Sequence, residues 1–384
     1  MTSRLRLAVV AAEPSGDRLG AGVLAALRDQ YGDLELRGIG GPEMARLGLD
    51  SRCDIHDLSV MGVEDLFRKL PRALNVRRKL LADLLRDPPD LFLGIDSPDF
   101  NLTLERKLRN AGIPTAHLVS PTVWAWRGYR LRKIRKSVDH MLVLFPFEEV
   151  FYRERGIPAT CVGHPAARET AALDRASVRE KFRLESDEVV IAVLPGSRES
   201  EINRLGSIFA QAIDQIASRH SRARFLVPLA NPRVQSLFEG ILARSPISGA
   251  ITLLNGQARE VLAASDVALL ASGTAALEAA LVGTPMVVAY RVSWLSYWLA
   301  RLLAKTDKVS MPNHLLPTPL IPEFLQTQAS PPALANAISA LLEDKQRLEE
   351  TSEALLGIRD ALNLDTNALI AQRVTELRRI PQGA

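Results

Sequence analysis

The sequence predicts an α/β protein built from two doubly wound domains and a helical C-terminal tail. Three observations predict it. Short apolar runs alternate with helical patterns in the first part of the chain, the alternation restarts after residue 165, and no strand pattern follows residue 331. With 384 residues the chain is long enough for two cores of ordinary size.

The expected strands of the first domain are Leu7–Ala12, Leu34–Ile39, Leu91–Ile95, Pro114–Val119 and His140–Leu144. Each is a short continuous apolar run, the pattern of a parallel strand covered on both faces. Arg18–Tyr31 and Asn101–Ala111 read as connecting helices. The second set of strands is Val189–Leu194, Ala223–Pro228, Ile251–Leu254, Val267–Ala271 and Met286–Tyr290. The boundary is placed at Gly163-His164-Pro165. Expected domains are therefore 1–165, 166–345 and a helical tail at 346–384 that crosses back onto the first domain or onto a partner chain, the latter giving a homodimer.

Composition narrows the class. Hydrophobic residues are 47% and charged residues 24%, the balance of a folded globular protein. The formal charge of +4 is too mild to argue for nucleic acid. Cys53 and Cys161 form no metal-spaced pair, and the six histidines show no H-E-x-x-H pattern. No protein-built metal site and no cofactor are expected. Arg4 and Arg6 precede an apolar run of six residues, too short for a signal peptide. The stretch Pro285–Ala304 is interrupted by Arg291 and Arg301, so no spanning helix is expected and a cytoplasmic location follows.

Ligands of open α/β sheets bind beyond the carboxyl ends of the strands, so the turns there carry the chemistry. The first turn holds Glu13, Ser15, Gly16 and Asp17, and reads equally as an ordinary capped turn. No G-x-G-x-x-G fingerprint is present there, which weakens a dinucleotide reading. In the second turn Asp96 ends the apolar strand Leu91–Ile95 and faces the ligand crevice, where it suits a general base, or else caps the next helix. Asp99 is the better candidate for that cap. In the third turn Gly196, Ser197 and Arg198 offer backbone amides and a guanidinium fork to a diphosphate. In the fourth, Gly273 and Thr274 open a helix whose first turns carry Glu278, an acceptor for sugar hydroxyls. No D-x-D triplet occurs, so charge on a leaving diphosphate falls to Arg198 and the helix N-termini.

Taken together, these segments resemble the lipid-A-disaccharide synthase family. The matches are AAEPSGD (11–17), VMGVEDL (60–66), GIDSPDFN (94–101), VSPTVWAWR (119–127), LFPFEEVFY (144–152), VGHP (162–165), LPGSR (194–198), ASGTAALE (271–278), PMVVAYR (285–291) and KTDKVSMPN (305–313). They run in order over nearly the whole chain. Ala12, often Gly in the family, and Glu199-Ser200 are departures.

The resemblance implies a GT-B fold with a cleft between two Rossmann-like domains. It also implies an inverting transfer of 2,3-diacylglucosamine from UDP to 2,3-diacylglucosamine 1-phosphate, giving the β(1→6) disaccharide. By the same resemblance Asp96 is the base and Arg198 binds the diphosphate. Glu278 and Asn313 lie around the UDP, and Glu13, Ser15 and Asp17 lie near the reaction centre. A UDP-sugar epimerase on the same fold is the alternative, and a nucleotide-binding scaffold without catalysis is a third reading. Lipid substrates imply a peripheral contact at the cytoplasmic face of the inner membrane. Val60, Met61, Val63, Leu66, Phe67 and Leu70, interleaved with Lys69 and Arg72, have the composition of such an interfacial element. A second basic run, Arg127–Lys136, follows Trp124 and Trp126.

Overall fold

A computed structural model describes residues 4–55, 63–125, 128–243, 250–294 and 306–378, with backbone alone for 63–69. The chain divides into two compact units. One takes Met1–Pro165 and Leu364–Ala384, the other Ala166–Asn363.

In the first unit seven strands form one parallel sheet: β1 (Leu5–Ala11), β2 (Leu34–Ile39), β3 (Asp50–Ser51), β4 (Leu91–Ile95), β5 (Thr115–Leu118), β6 (His140–Val143) and β7 (Ala159–Cys161). Their order is β3-β2-β1-β4-β5-β6-β7. Helices α1 (Pro14–Tyr31), α2 (Pro42–Arg46), α3 (Val63–Arg86), α4 (Pro98–Asn110), α5 (Leu131–Ser137) and α6 (Pro146–Arg153) connect the strands. Proline opens α1, α4 and α6, where its fixed φ suits the first helical turn and its missing N–H costs nothing. Burial is complete along β4 and β5, which accounts for their unbroken apolar character.

The second unit begins with α7 (Pro165–Ala171) and α8 (Arg175–Lys181). Its six-stranded parallel sheet has the order β10-β9-β8-β11-β12-β13. The strands are β8 (Val189–Leu194), β9 (Ala223–Leu229), β10 (Ile251–Asn255), β11 (Val267–Ala271), β12 (Met286–Tyr290) and β13 (Glu323–Leu325). They alternate with α9 (Glu199–Arg219), α10 (Pro232–Leu242), α11 (Ala258–Ala264) and α12 (Thr274–Leu281).

Both sheets reverse their strand order once, between β1 and β4 and between β8 and β11. A crevice opens at such a switch point, and the four turns singled out above flank the two of them. Three strands, β3, β7 and β13, are absent from the sequence expectation. Each is two or three residues long and sits at a sheet edge, too short to leave a hydrophobic period.

The C-terminal helices do not form one tail. The helix Lys345–Leu362 stays with the second unit, where Ser352 Oγ donates to the Gly283 carbonyl at 2.7 Å. The helix Thr366–Leu377 belongs to the first unit and packs on α1, with Tyr31 Oη donating to Thr375 Oγ1 at 2.9 Å. The crossing falls at 363/364 rather than at 345, and the face of this last helix is covered within its own chain.

Candidate active site

The first unit's site starts with backbone strain. Asp96 and Ser97, just past β4, have φ of 52° and 44°, and Val119, just past β5, has 74°. This left-handed region is unfavourable for any side chain and most of all for a β-branched one, at a cost of about 1–3 kcal/mol each. Two neighbouring strand ends are thus bent in the same way. Hydrogen bonds hold them there. The Asp96 N–H donates to Leu118 O at 2.8 Å and the Val119 N–H to Leu142 O at 3.0 Å. The buried Asn101 amide donates to Asp96 O at 2.8 Å. Asp96 is half-buried and lines a cavity of about 360 Å³ with Pro98, Val119, Ser120, Pro121, Thr122, Val123 and Arg130. A carboxylate held by strained backbone at the wall of a cavity is placed to accept a proton from a bound hydroxyl.

The loop that also lines the cavity is anchored by side-chain contacts. Ser120 Oγ and Tyr152 Oη lie 2.9 Å apart, and Trp124 Nε1 donates to Glu148 Oε1 at 3.0 Å. Burial pushes the Glu148 carboxyl up to about 7, although Trp124 and Ser120 pull it the other way.

Directly behind β4 lies a buried pair that the sequence reading does not contain. Glu105 Oε1 and His117 Nδ1 are 2.6 Å apart, and both side chains are fully buried. Burial raises the Glu105 carboxyl above the usual range, with His117 opposing. For His117 burial works downward, but Glu105 and then Asp96 outweigh it, and the imidazole is raised. The pair therefore ties α4, the helix that follows the Asp96 turn, to β5.

Gly94 makes room for the pair: a Cβ there would collide with Glu105 Oε1 and stand 3.2 Å from Asn101 Cβ. Gly94→Ala is expected to destabilise the first unit by about 2–3 kcal/mol, lowering its melting temperature by roughly 4–12 °C. An unchanged melt would show that Glu105 does not press on this strand.

Several sequence-predicted residues lie elsewhere than expected. Asp17 is buried, with both carboxylate oxygens turned to backbone N–H groups. Its Oδ1 accepts from the Gly41 and Met44 N–H groups at 2.9 and 3.1 Å, and its Oδ2 from Glu43 N–H at 3.0 Å. It caps α2, a five-residue helix whose free N–H groups need an acceptor. Glu13 and Ser15 are exposed at the start of α1, and the Glu13 carbonyl accepts from Asp17 N–H at 3.0 Å. Asp99 is not the cap of α4. It lies in the first turn of α4 after Ser97, and pairs with Arg130 at 3.0 Å.

In the second unit, Ser197 and Arg198 are exposed at the start of α9. Their N–H groups already have a partner. Glu201 Oε2 accepts from Ser197 at 2.8 Å and from Arg198 at 3.3 Å. Gly196, at φ 133°, gives Glu201 its place, since a Cβ there would lie 2.5 Å from Glu201 Cβ. An acid at the third helical position supplies one half of a capping box, and the Arg198 side chain, which has no acceptor, cannot supply the other.

Across the switch point, Gly273 and Thr274 are exposed at the start of α12. Glu278 is half-buried and accepts from Arg259 Nε at 2.9 Å, while Arg259 also bonds Glu169. Asn313 is buried with its amide filled. It donates to Ile321 O at 2.9 Å and Glu323 Oε1 at 2.7 Å, and accepts from the Leu320 and Ile321 N–H groups at 3.1 Å. Its amide shapes the segment around residues 308–323 and has no group left for a nucleotide in this structure.

Of the proposed interfacial residues, Val60 and Met61 lie outside the described residues, as do the side chains of Val63, Leu66, Phe67 and Lys69. Leu70, Arg72 and Leu74 are exposed on α3. Trp126 and Arg127 also lie outside the described residues. Among the described residues no group of three or more His, Cys, Asp or Glu could hold a metal ion.

The family model described as Lipid-A-disaccharide synthetase matches residues 7–374. The chain belongs to the lipid-A-disaccharide synthase family. A lipid-A-disaccharide synthase of Pseudomonas aeruginosa is 44% identical over 380 residues, covering 98% of this chain and 99% of the relative. One from Alkalilimnicola ehrlichii is 46% identical over 346 residues, covering 89% and 91%. Membership makes the chain a glycosyltransferase of lipid A biosynthesis.

Solved structures are similar in fold. A UDP-GlcNAc 2-epimerase from Neisseria meningitidis bound to UDP-GlcNAc has a TM-score of 0.64 at 14% identity, covering 97% of this chain and 100% of the other. A glycosyltransferase from Rickettsia africae has 0.60 at 12% identity, covering 100% of each. At these identities the likeness shows the GT-B fold alone, so the epimerase neighbour does not compete with the family assignment.

Proposed function

We propose that the protein transfers 2,3-diacylglucosamine from UDP to the 6-hydroxyl of 2,3-diacylglucosamine 1-phosphate. The products are the β(1→6) disaccharide and UDP. The observation that carries the reading is Asp96, held by strain and by Asn101 at the wall of a cavity in a chain of this family.

In the proposed step the Asp96 carboxylate takes the proton of the acceptor 6-hydroxyl. The freed oxygen pair attacks the anomeric carbon. The bond from that carbon to the diphosphate oxygen breaks, and UDP leaves with the electrons. One displacement turns an α-linked donor into a β-linked product. Arg198, with the N–H groups of Ser197, Gly273 and Thr274, meets the charge on the leaving diphosphate, and Glu278 accepts from ribose hydroxyls. Glu201 then has to yield the Ser197 and Arg198 N–H groups to the phosphate. If Asp96 is not the base, Asp99 or Glu13 is the next candidate, and Ser15 lies in the same turn as Glu13.

Transfer should depend strictly on the acceptor. UDP release measured with donor alone is expected to be negligible and to rise on adding the diacylglucosamine phosphate. Turnover of the donor without acceptor would support an epimerase instead. Because Arg198 and helix N-termini replace a metal-bound carboxylate pair in this scheme, EDTA is expected to leave the rate unchanged. A strict requirement for a divalent ion would overturn that part.

The acyl chains place the reaction at a membrane surface. No helix among the described residues is long and apolar enough to cross a membrane. Exposed Leu70 and Leu74, beside exposed Arg72, Arg78 and Lys79 on α3, support a peripheral contact with the cytoplasmic face of the inner membrane.

A further inference from the structure

We propose that Arg77, Arg130 and Lys133 form a binding site for a phosphomonoester, the anomeric phosphate of the acceptor sugar, an assignment that rests on the transfer proposed above. The three cations are half-buried and come from three elements: α3, the turn Gly128–Arg130 and α5. Arg106 of α4 adds its charge from a more exposed position.

Asp99 is the anion among them. Arg130 Nη2 lies 3.0 Å from its Oδ1, and Arg77 Nη1 donates to its backbone oxygen at 3.3 Å. The Asp99 side chain is 79% exposed, and one surface carboxylate does not balance four cations. The Lys133 ammonium has no hydrogen bond or ion pair among the described residues. Burial lowers its pKa; Asp99 works against this, and Arg130, Arg77 and Arg106 add to it. Burial lowers Arg77 as well. Like charges gathered where water is partly excluded repel one another, and a bound dianion relieves the repulsion.

Position decides which anion. Arg130 lines the cavity that Asp96 also lines, and its side chain is 17% exposed. A volume of about 360 Å³ is in the range of small-ligand pockets. A sugar in this cavity with its 6-hydroxyl at Asp96 carries its 1-phosphate at the other end of the ring, and Arg130 is the cation in the lining that can meet it. A phosphomonoester offers three acceptor oxygens to an arginine fork and a lysine point charge. An anionic lipid headgroup carries related phosphate chemistry, but it would meet the outer face of α3 rather than a cavity shared with Asp96.

The test compares the parent with Arg130→Gln, Lys133→Ala and the double variant. The Michaelis constant for the phosphorylated acceptor is expected to rise about 10- to 100-fold per substitution. The donor constant and UDP affinity should stay within about twofold, which also reports a folded second unit. Melting of the variants within a few degrees of the parent reports a folded first unit.

The parent should discriminate against the dephosphorylated acceptor, and the double variant should not. Equal losses for both acceptors, or an unchanged acceptor constant, would overturn the site. Flotation with phosphatidylcholine vesicles, with and without phosphatidylglycerol, should be the same for parent and variants. Loss of binding to the anionic vesicles with an unchanged acceptor constant assigns the cations to the membrane surface and also overturns the site. If the parent transfers nothing, the reaction fails independently. The phosphate site is then scored by calorimetric titration with the phosphorylated and dephosphorylated acceptors, where a preference in the parent that the double variant lacks supports it and no preference overturns it.

Discussion

Asp96→Ala is expected to lower the turnover rate by about 10²–10⁴-fold, the range for losing a positioned general base. UDP affinity should be unchanged, because Asp96 belongs to the first unit and the proposed diphosphate groups to the second. Asp96→Asn separates the two contributions of this residue: it keeps the size and the backbone turn but cannot take the proton. A large loss in both variants, with normal UDP binding and melting, identifies the carboxylate itself. Near-parental activity in either would remove Asp96 from the mechanism and make Asp99 or Glu13 the next residue to test.

Arg198→Ala is the second large effect. A guanidinium contributes charge-assisted hydrogen bonds that grow as the diphosphate departs, so both UDP affinity and turnover should fall, affinity by about 10- to 100-fold. Arg198→Lys should recover part of the affinity and less of the rate, since an ammonium keeps the charge without the fork. In the unliganded chain Arg198 is exposed and its N–H is shared with Glu201, so melting should change little. Unchanged UDP affinity would take the diphosphate away from this turn.

Much of the architecture is legible in the sequence because parallel strands buried on both faces leave unbroken apolar runs, as in Leu91–Ile95 and Val267–Ala271. The two switch points carry the four turns that the residue types single out. What stays hidden is set by contacts between residues far apart in the chain. Asp17 has the look of a functional acid in a strand-to-helix turn, yet it caps a helix that starts at Pro42. Asn313 lies in a family motif, yet its amide is filled by the segment at 320–323. Nothing local ties Glu105 to His117, because a helix on one side of the sheet and a strand within it have to be assembled first. Glu201 is different. An acid in the first turn of α9 is visible in the sequence, and it takes up the free N–H groups of Ser197 and Arg198.

Strain at Asp96, Ser97 and Val119 explains why two adjacent strand ends present their groups to one cavity. Such conformations persist when the surroundings over-determine them. Here Asn101 and the ladder bonds to Leu118 and Leu142 do so from one side, and the Glu105–His117 pair fills the space behind.

The most direct test of the account is the product itself. The protein is incubated with UDP-2,3-diacylglucosamine and 2,3-diacylglucosamine 1-phosphate, and the lipid fraction is read by mass and by NMR of the new anomeric centre. The predicted result is a tetraacyl disaccharide phosphate with a β(1→6) linkage, formed in step with UDP. An epimerised donor, an α-linked product, or UDP release without a disaccharide would contradict it.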